Sequence, residues 1–381
     1  MENELSSSQR VQKSRYTRVR WIVLVASLVA GPVLVEVTMR FLLFHPSELA
    51  REWGAGLRDA SLFADPQLED EYWRLRWVLM EKKPTDADPH DALVGWTGPR
   101  VTPATYEHQS ALPAGKRPIL WYGASYASCV QETWDDCFED LVAESDLGDE
   151  YALINYGVGG YGVGQAYLLM RESIDLHAHA NPLVVFVLVV DTDFHRASLG
   201  FRTWPKPRLS SEGQLDLRAP VEASAAAYLE QNGIGISSYA WRFFLHGTEA
   251  LPETWSASLR GSGESRREQS ALISRILAGM QQEVAERDLE ALFLLCVSPR
   301  GLRETGTEPT PMESFLTDEL EKLGVPYVAC RAPFIEALEG RVESEEQLFL
   351  TEGRGVNHPT REGNLVLLEC LRNGIANELG R

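Results

Sequence analysis

The chain has little of what metal and nucleic-acid sites are made from. Its five cysteines (Cys129, Cys137, Cys296, Cys330, Cys370) are spread through 381 residues and show no ligand spacing such as C-x-x-C, so no metal is implied. Their odd number and the apolar settings of Cys296 and Cys370 predict buried thiols rather than a bridge, although Cys129 and Cys137 are close in sequence. Positive charge is also scarce, with 36 basic against 55 acidic residues and a net charge of −19. Five of the basic groups (Arg10, Lys13, Arg15, Arg18, Arg20) fall in the first twenty residues, against Glu2 and Glu4. The remainder is therefore more acidic still and would repel phosphate, which excludes nucleic acid as a partner. No repeat of about 20–50 residues is present. No lysine follows the glycine-rich stretch, as a phosphate-binding loop requires.

Long apolar runs are absent except for one. Residues 21–35 carry no charge, and Phe41-Leu42-Leu43-Phe44 extends the run past Glu36 and Arg40. Residues 21–44 are long enough to cross a bilayer as a helix. Glu36 and Arg40, at i,i+4, are expected to pair near its distal end. The run is long for a signal peptide and no clear small-x-small cleavage site follows it, so the expectation is a retained single-pass anchor. Basic residues precede the span, and only Arg51 and Arg58 follow closely. This predicts a cytoplasmic N-terminus (1–20) and a body in the periplasm or cell exterior.

With 44% hydrophobic and 24% charged residues, the body is globular. Residues 45–115 read as a linker and flanking segment, in which Asp65-Pro66 opens a helix lined by Tyr72, Leu75 and Leu79. Further on, residues 119–122, 151–154, 183–190, 291–297 and 325–328 are unbroken apolar runs, the mark of parallel strands buried on both faces. Helical patterns separate them: one from Thr133 to Val142, one opening on the capping box of Ser265 and Glu268, and a last one starting at Thr360. Such alternation predicts an α/β fold, a three-layer α/β/α sandwich with a mostly parallel sheet over residues 116–381. Residues 198–264, rich in proline, glycine, serine and aromatics, interrupt it and read as an insertion covering the rim.

Four short blocks stand at strand or helix ends. Ile119-Leu120-Trp121-Tyr122-Gly123-Ala124-Ser125 is a strand running into a small-residue turn that ends on a serine. Asn155-Tyr156-Gly157-Val158-Gly159-Gly160-Tyr161-Gly162 follows the second strand, Asp191-Thr192-Asp193 ends the third, and His358-Pro359-Thr360 opens the last helix. Loops at the C-terminal ends of parallel strands converge on one rim. There a serine, a histidine base and backbone donors are the parts of an acyl hydrolase.

The order and spacing of these blocks over residues 85–381 resemble the SGNH (GDSL-type) hydrolase superfamily, in particular its membrane-anchored bacterial members. Asp91-Ala92-Leu93-Val94-Gly95-Trp96 and the stretch from Pro205 to Leu215 belong to the likeness. The resemblance implies Ser125 as nucleophile, His358 as base, and Gly160 and Thr192 as oxyanion donors, with no cofactor. Three departures from the family pattern stand out. Ala124 replaces an aspartate between glycine and serine, and Thr192 replaces an asparagine. Gly355 and Val356 occupy the positions where the triad acid is usual, leaving Glu352 as the nearest upstream carboxylate. The resemblance implies a membrane-anchored serine esterase that removes O-acyl groups, acetyl for example, from a cell-envelope glycan or small ester. The alternatives are a catalytically degenerate binding protein of this fold and an O-acyltransferase acting on a surface polysaccharide.

Overall fold

The computed structural model describes residues 7–65, 69–79, 90–91, 95–96, 115–128, 137–198, 207–216, 233–246, 263–340, 344–352 and 356–380. Two compact units emerge: Met1–Lys83 with Asn232–Arg260, and Pro84–Gln231 with Gly261–Arg381.

The larger unit is built on five parallel strands, β1 (Arg117–Gly123), β2 (Tyr151–Gly157), β3 (Leu183–Val189), β4 (Glu290–Cys296) and β5 (Tyr327–Ala329), in the spatial order β2-β1-β3-β4-β5. All seven residues of β3 are buried, as expected of a central strand covered on both faces. Phe186 and Phe293 stack across β3 and β4 at 4.7 Å. β5 starts later than its apolar run because Pro326 has no N–H to give the ladder; its carbonyl instead accepts from Phe293 N at 3.0 Å. Helices Phe138–Glu144, Arg331–Gly340 and Arg361–Asn373 form one layer, and Val163–His177, Gly263–Ala285 and Pro311–Leu323 the other. The fold class is therefore the expected three-layer α/β/α sandwich. The two flanking stretches of the resemblance form antiparallel hairpins, His90–Asp91 with Gly95–Trp96 and Arg208–Leu209 with Leu215–Asp216.

Local chemistry sets the helix ends. Thr310 and Glu313 form a reciprocal capping box ahead of Pro311, and Gly324, at φ +64°, closes that helix. Thr360 caps the last helix through Gly363 N, as expected. The helix expected to open at Ser265 begins earlier, at Gly263. Thr133 lies outside the described residues, and the Phe138–Glu144 helix starts after Cys137. Cys137 is disulfide-bonded, which overturns the expectation of thiols only; an oxidising compartment favours such a bridge over a free pair. Cys296, Cys330 and Cys370 are free and buried, as expected.

In the smaller unit the Ser7–Phe44 helix is long and apolar enough to cross a membrane over Ala26–Phe44, and almost none of that stretch is buried. Glu36 and Arg40 pair at 2.6 Å. Leu75 and Leu79 of the Asp70–Leu79 helix pack with Leu43, Phe63, Ile236 and Tyr239. Of the 198–264 insertion, residues 233–246 belong to this smaller unit, where Tyr239 and Leu245 of the Tyr239–His246 helix are buried.

Candidate active site

The sheet order puts a switch point between β1 and β3, the crevice where ligands of open α/β sheets bind. The serine and Asp-Thr-Asp blocks follow these two strands. After Gly123 the chain turns sharply, with Ser128 N donating to Ala124 O at 2.9 Å and Ser128 Oγ to Ser125 O at 3.1 Å. Ser125 is half-buried at the start of this turn. Gly123 fits because a Cβ there would stand 2.2 Å from the Val187 carbonyl.

The second block is locked to that turn. A Cβ on Gly157 would lie 2.4 Å from Ser128 N, so only glycine allows the approach. Asn155, 3% exposed, donates from Nδ2 to Ala127 O at 2.9 Å and accepts from Gly157 N at 2.8 Å. Its amide thus ties the glycine loop to the serine turn. Gly160 has φ +87°, a conformation open to glycine at little cost.

The third block is a network of committed side chains. Asp193 is buried; it accepts from Val189 N at 2.9 Å and pairs with Arg196 Nη1 at 2.8 Å. The same Arg196 nitrogen donates to Tyr161 O at 3.0 Å, joining the third block to the second. Burial pushes the Asp193 carboxyl up to about 6, against the pull of Arg196. Thr192 Oγ1 lies 3.3 Å from Asp193 Oδ1, a long and weak donation. Asp191 accepts from Ser298, through both its backbone N–H (3.3 Å) and its hydroxyl, and so binds the cap of the Pro299–Thr305 helix to the same rim.

His358 sits on a two-residue bridge. Leu350 N donates to His358 O and Asn357 N to Leu350 O, each at 2.8 Å, and Phe349 pairs with Pro359. Asn357 takes φ +67° to make the bend. The imidazole Nδ1 lies 3.1 Å from the Val356 carbonyl. A carbonyl only accepts, so this bond fixes the proton on Nδ1 and leaves Nε2 as the acceptor in the neutral ring. The partner seen at Nδ1 is thus a backbone carbonyl rather than Glu352, an exposed side chain. Tyr126, next to Ser125, donates from its hydroxyl to Asn357 O at 2.8 Å and holds its ring 5.7 Å from the imidazole. Burial raises its phenol well above the usual range.

Sequence reasoning missed four of these residues. Arg196 was visible as an i,i+3 partner of Asp193, and Ser298 as a cap before Pro299. Nothing local marked Tyr126 or the Val356 carbonyl, because their partners are remote or belong to the backbone. Among the described residues, no group of three His, Cys, Asp or Glu side chains is arranged to hold a metal ion.

In fold and in the order of its blocks the chain resembles the SGNH hydrolases. No protein-family model and no curated protein matches it. Among solved structures it is similar to a catalytic mutant of an acetylxylan esterase from Geobacillus stearothermophilus, at 12% identity over 69% of this chain and 96% of that one, with a TM-score of 0.37. A second acetyl xylan esterase matches at 15% identity over 68% and 99%, with a TM-score of 0.39. An alpha/beta hydrolase enzyme from the metagenome of Lake Arreo, Spain, matches at 12% over 70% and 97%, with a TM-score of 0.37.

Proposed function

We propose that the chain is a membrane-anchored serine ester hydrolase that removes O-acyl groups, acetyl among them, from a cell-envelope glycan or a small ester outside the cytoplasm. The observation that carries the reading is the tie between the two ends of the site. The residue after Ser125 bonds to the residue before His358 and packs on its ring.

In this mechanism Ser125 Oγ attacks the acyl carbon as His358 Nε2 takes its proton. The oxyanion accepts from the Ser125 and Gly160 N–H groups and from the Thr192 hydroxyl, which gives up its weak bond to Asp193. As the intermediate collapses, the imidazolium returns the proton to the departing alcohol. Water activated by the same imidazole then cleaves the acyl-enzyme and regenerates the serine. The Val356 carbonyl takes the orienting part of the triad acid but adds no full negative charge. Loss of that acid costs up to about 10⁴ in rate, and loss of one oxyanion donor roughly 10²–10³. These losses do not multiply when the residues act as a unit, so a slow esterase is expected. The positive-inside asymmetry and the Cys137 disulfide support an extracytoplasmic catalytic unit.

The test is labelling with a fluorophosphonate probe. The expected result is pH-dependent labelling that Ser125→Ala abolishes and His358→Ala slows; absence of labelling in folded wild-type protein overturns the reading. A second reading, glycan or protein binding without turnover, draws support from the Thr192–Asp193 contact and the carbonyl at Nδ1. An O-acyltransferase would use the same serine and the same anchor. It would pass the acyl group to an added oligosaccharide in preference to water.

A further inference from the structure

We infer that the Tyr239–His246 helix, inserted in sequence between segments of the catalytic unit, lies in the outer lipid interface of the same bilayer that the N-terminal helix spans. There Trp241 and Phe244, together with Leu49 and Trp53, form an apolar collar around the distal end of the span. The inference rests on the proposed membrane-spanning role of the Ser7–Phe44 helix and adds a second, independent contact with lipid.

The level of the inserted helix is fixed by hydrogen bonds to the span. Ser238 Oγ and Ala240 N both donate to Glu36 Oε2, at 2.9 and 3.0 Å. Arg40 donates to Ser237 O at 2.8 Å, and its guanidinium lies 5.0 Å from the centre of the Tyr239 ring. A helix rises about 1.5 Å per residue, and the hydrocarbon layer is about 30 Å thick, some twenty residues. Counted outward from Arg20, that thickness ends near Arg40. Glu36 and the start of the inserted helix are then inside the outer leaflet. A carboxylate at that depth needs partners, and Glu36 has three donors: Ser238 Oγ, Ala240 N and Arg40 Nε.

The chemistry of the helix fits the same level. Its inner side is apolar: Tyr239 meets Phe63 and Phe44 edge-on, at 5.7 and 5.1 Å, and Leu245 is buried. Arg242 grips Glu69 through both carboxylate oxygens at 2.7–2.8 Å. The outer side is aromatic as well. Trp241 and Phe244, at i,i+3, stack at 5.7 Å and are 52% and 40% exposed. Arg242 and His246 are turned to Glu69, so the side that carries Trp241 and Phe244 is left aromatic and exposed, the pattern of side chains that sit at headgroup level. The Glu48–Gly54 helix shows the same habit: Gly54 packs so closely on Leu42 that a Cβ would stand 2.5 Å from its carbonyl oxygen, while Leu49 and Trp53, at i,i+4, are 50% and 70% exposed. Both aromatic patches are thus fixed to the last turns of the candidate span, where Trp-rich belts meet headgroups. The acidic character of the chain makes the contact apolar rather than an attraction to anionic lipid.

The test uses the full chain in phosphatidylcholine nanodiscs, with lipid brominated either near the headgroup or near the chain ends. Tryptophan quenching is compared among wild type, Trp241→Phe and Trp53→Phe. The expected result is that each substitution removes part of the quenchable emission, with the larger loss for bromine near the headgroup. Quenching unchanged by both substitutions, in protein that resists alkaline carbonate extraction from vesicles, overturns the collar and leaves the span intact. A partner protein or solvent would then meet the aromatic pair. Release by carbonate overturns the span reading, and the collar with it.

Discussion

Asp193 shows at the scale of one residue how the rim is held. Its carboxyl sits in a dry network that joins the third block to Tyr161 through Arg196. Burial raises its folded-state pKa to about 6, whereas an unfolded aspartate titrates near about 3.9. A raised carboxyl favours folding in its neutral form. That contribution is complete below about pH 4 and is lost as the pH rises through about 6. Replacing Asp193 by asparagine removes the titration. The stability of Asp193→Asn relative to wild type is therefore expected to increase between about pH 4.5 and about pH 7. Urea midpoints of both proteins across that range check it, and a relative decrease contradicts the assignment. The side chain at 192 matters less than its backbone here, since its hydroxyl makes only one long bond.

At the scale of elements, the site depends on two loops meeting. One is the turn after β1, and the other is the bend before the Arg361–Asn373 helix. Their link is the Tyr126 hydroxyl on the Asn357 carbonyl. Tyr126→Phe keeps the ring against His358 and deletes only that bond, at a cost of about 1 kcal/mol in stability. If the tie sets the imidazole relative to Ser125, fluorophosphonate labelling slows by more than the stability loss explains while the fold stays intact. Thermal unfolding and labelling rate, measured on the same sample, separate the two effects, and an unchanged rate refutes a positioning role. The strands and the last helix were readable in the sequence because each is an unbroken apolar run or a capped periodic pattern. The start of β5, the Gly263 helix start and the bend at Asn357 were not readable. They depend on a missing proline N–H, on helix propagation past a potential cap and on a positive φ at a residue that tolerates it.

At the scale of the molecule, the chain passes between its two units three times, at 83–84, 231–232 and 260–261. The cysteines bear on the proposed compartment. Burial pushes the thiols of Cys296 and Cys330 up, and Cys370 is buried beside the same elements, so all three are expected to stay unreactive in the native state. Unreduced protein in denaturant should expose three thiols per chain to maleimide, and reduced protein all five. Five reactive thiols without reduction would mean that the Cys137 bridge does not form and would remove its support for an extracytoplasmic body.

The sequence by itself determined the parallel α/β sandwich, the candidate span with its Glu36–Arg40 pair, and the four blocks at strand and helix ends. Each of these follows from periodicity, run length or capping, which act over neighbouring residues. Only the tertiary structure decided that the Tyr239–His246 helix packs with the N-terminal helix, that Cys137 is bridged, and that the Val356 carbonyl meets His358 Nδ1. Those contacts join residues far apart in the chain, or use main-chain atoms that every residue carries, so side-chain identity alone could not specify them.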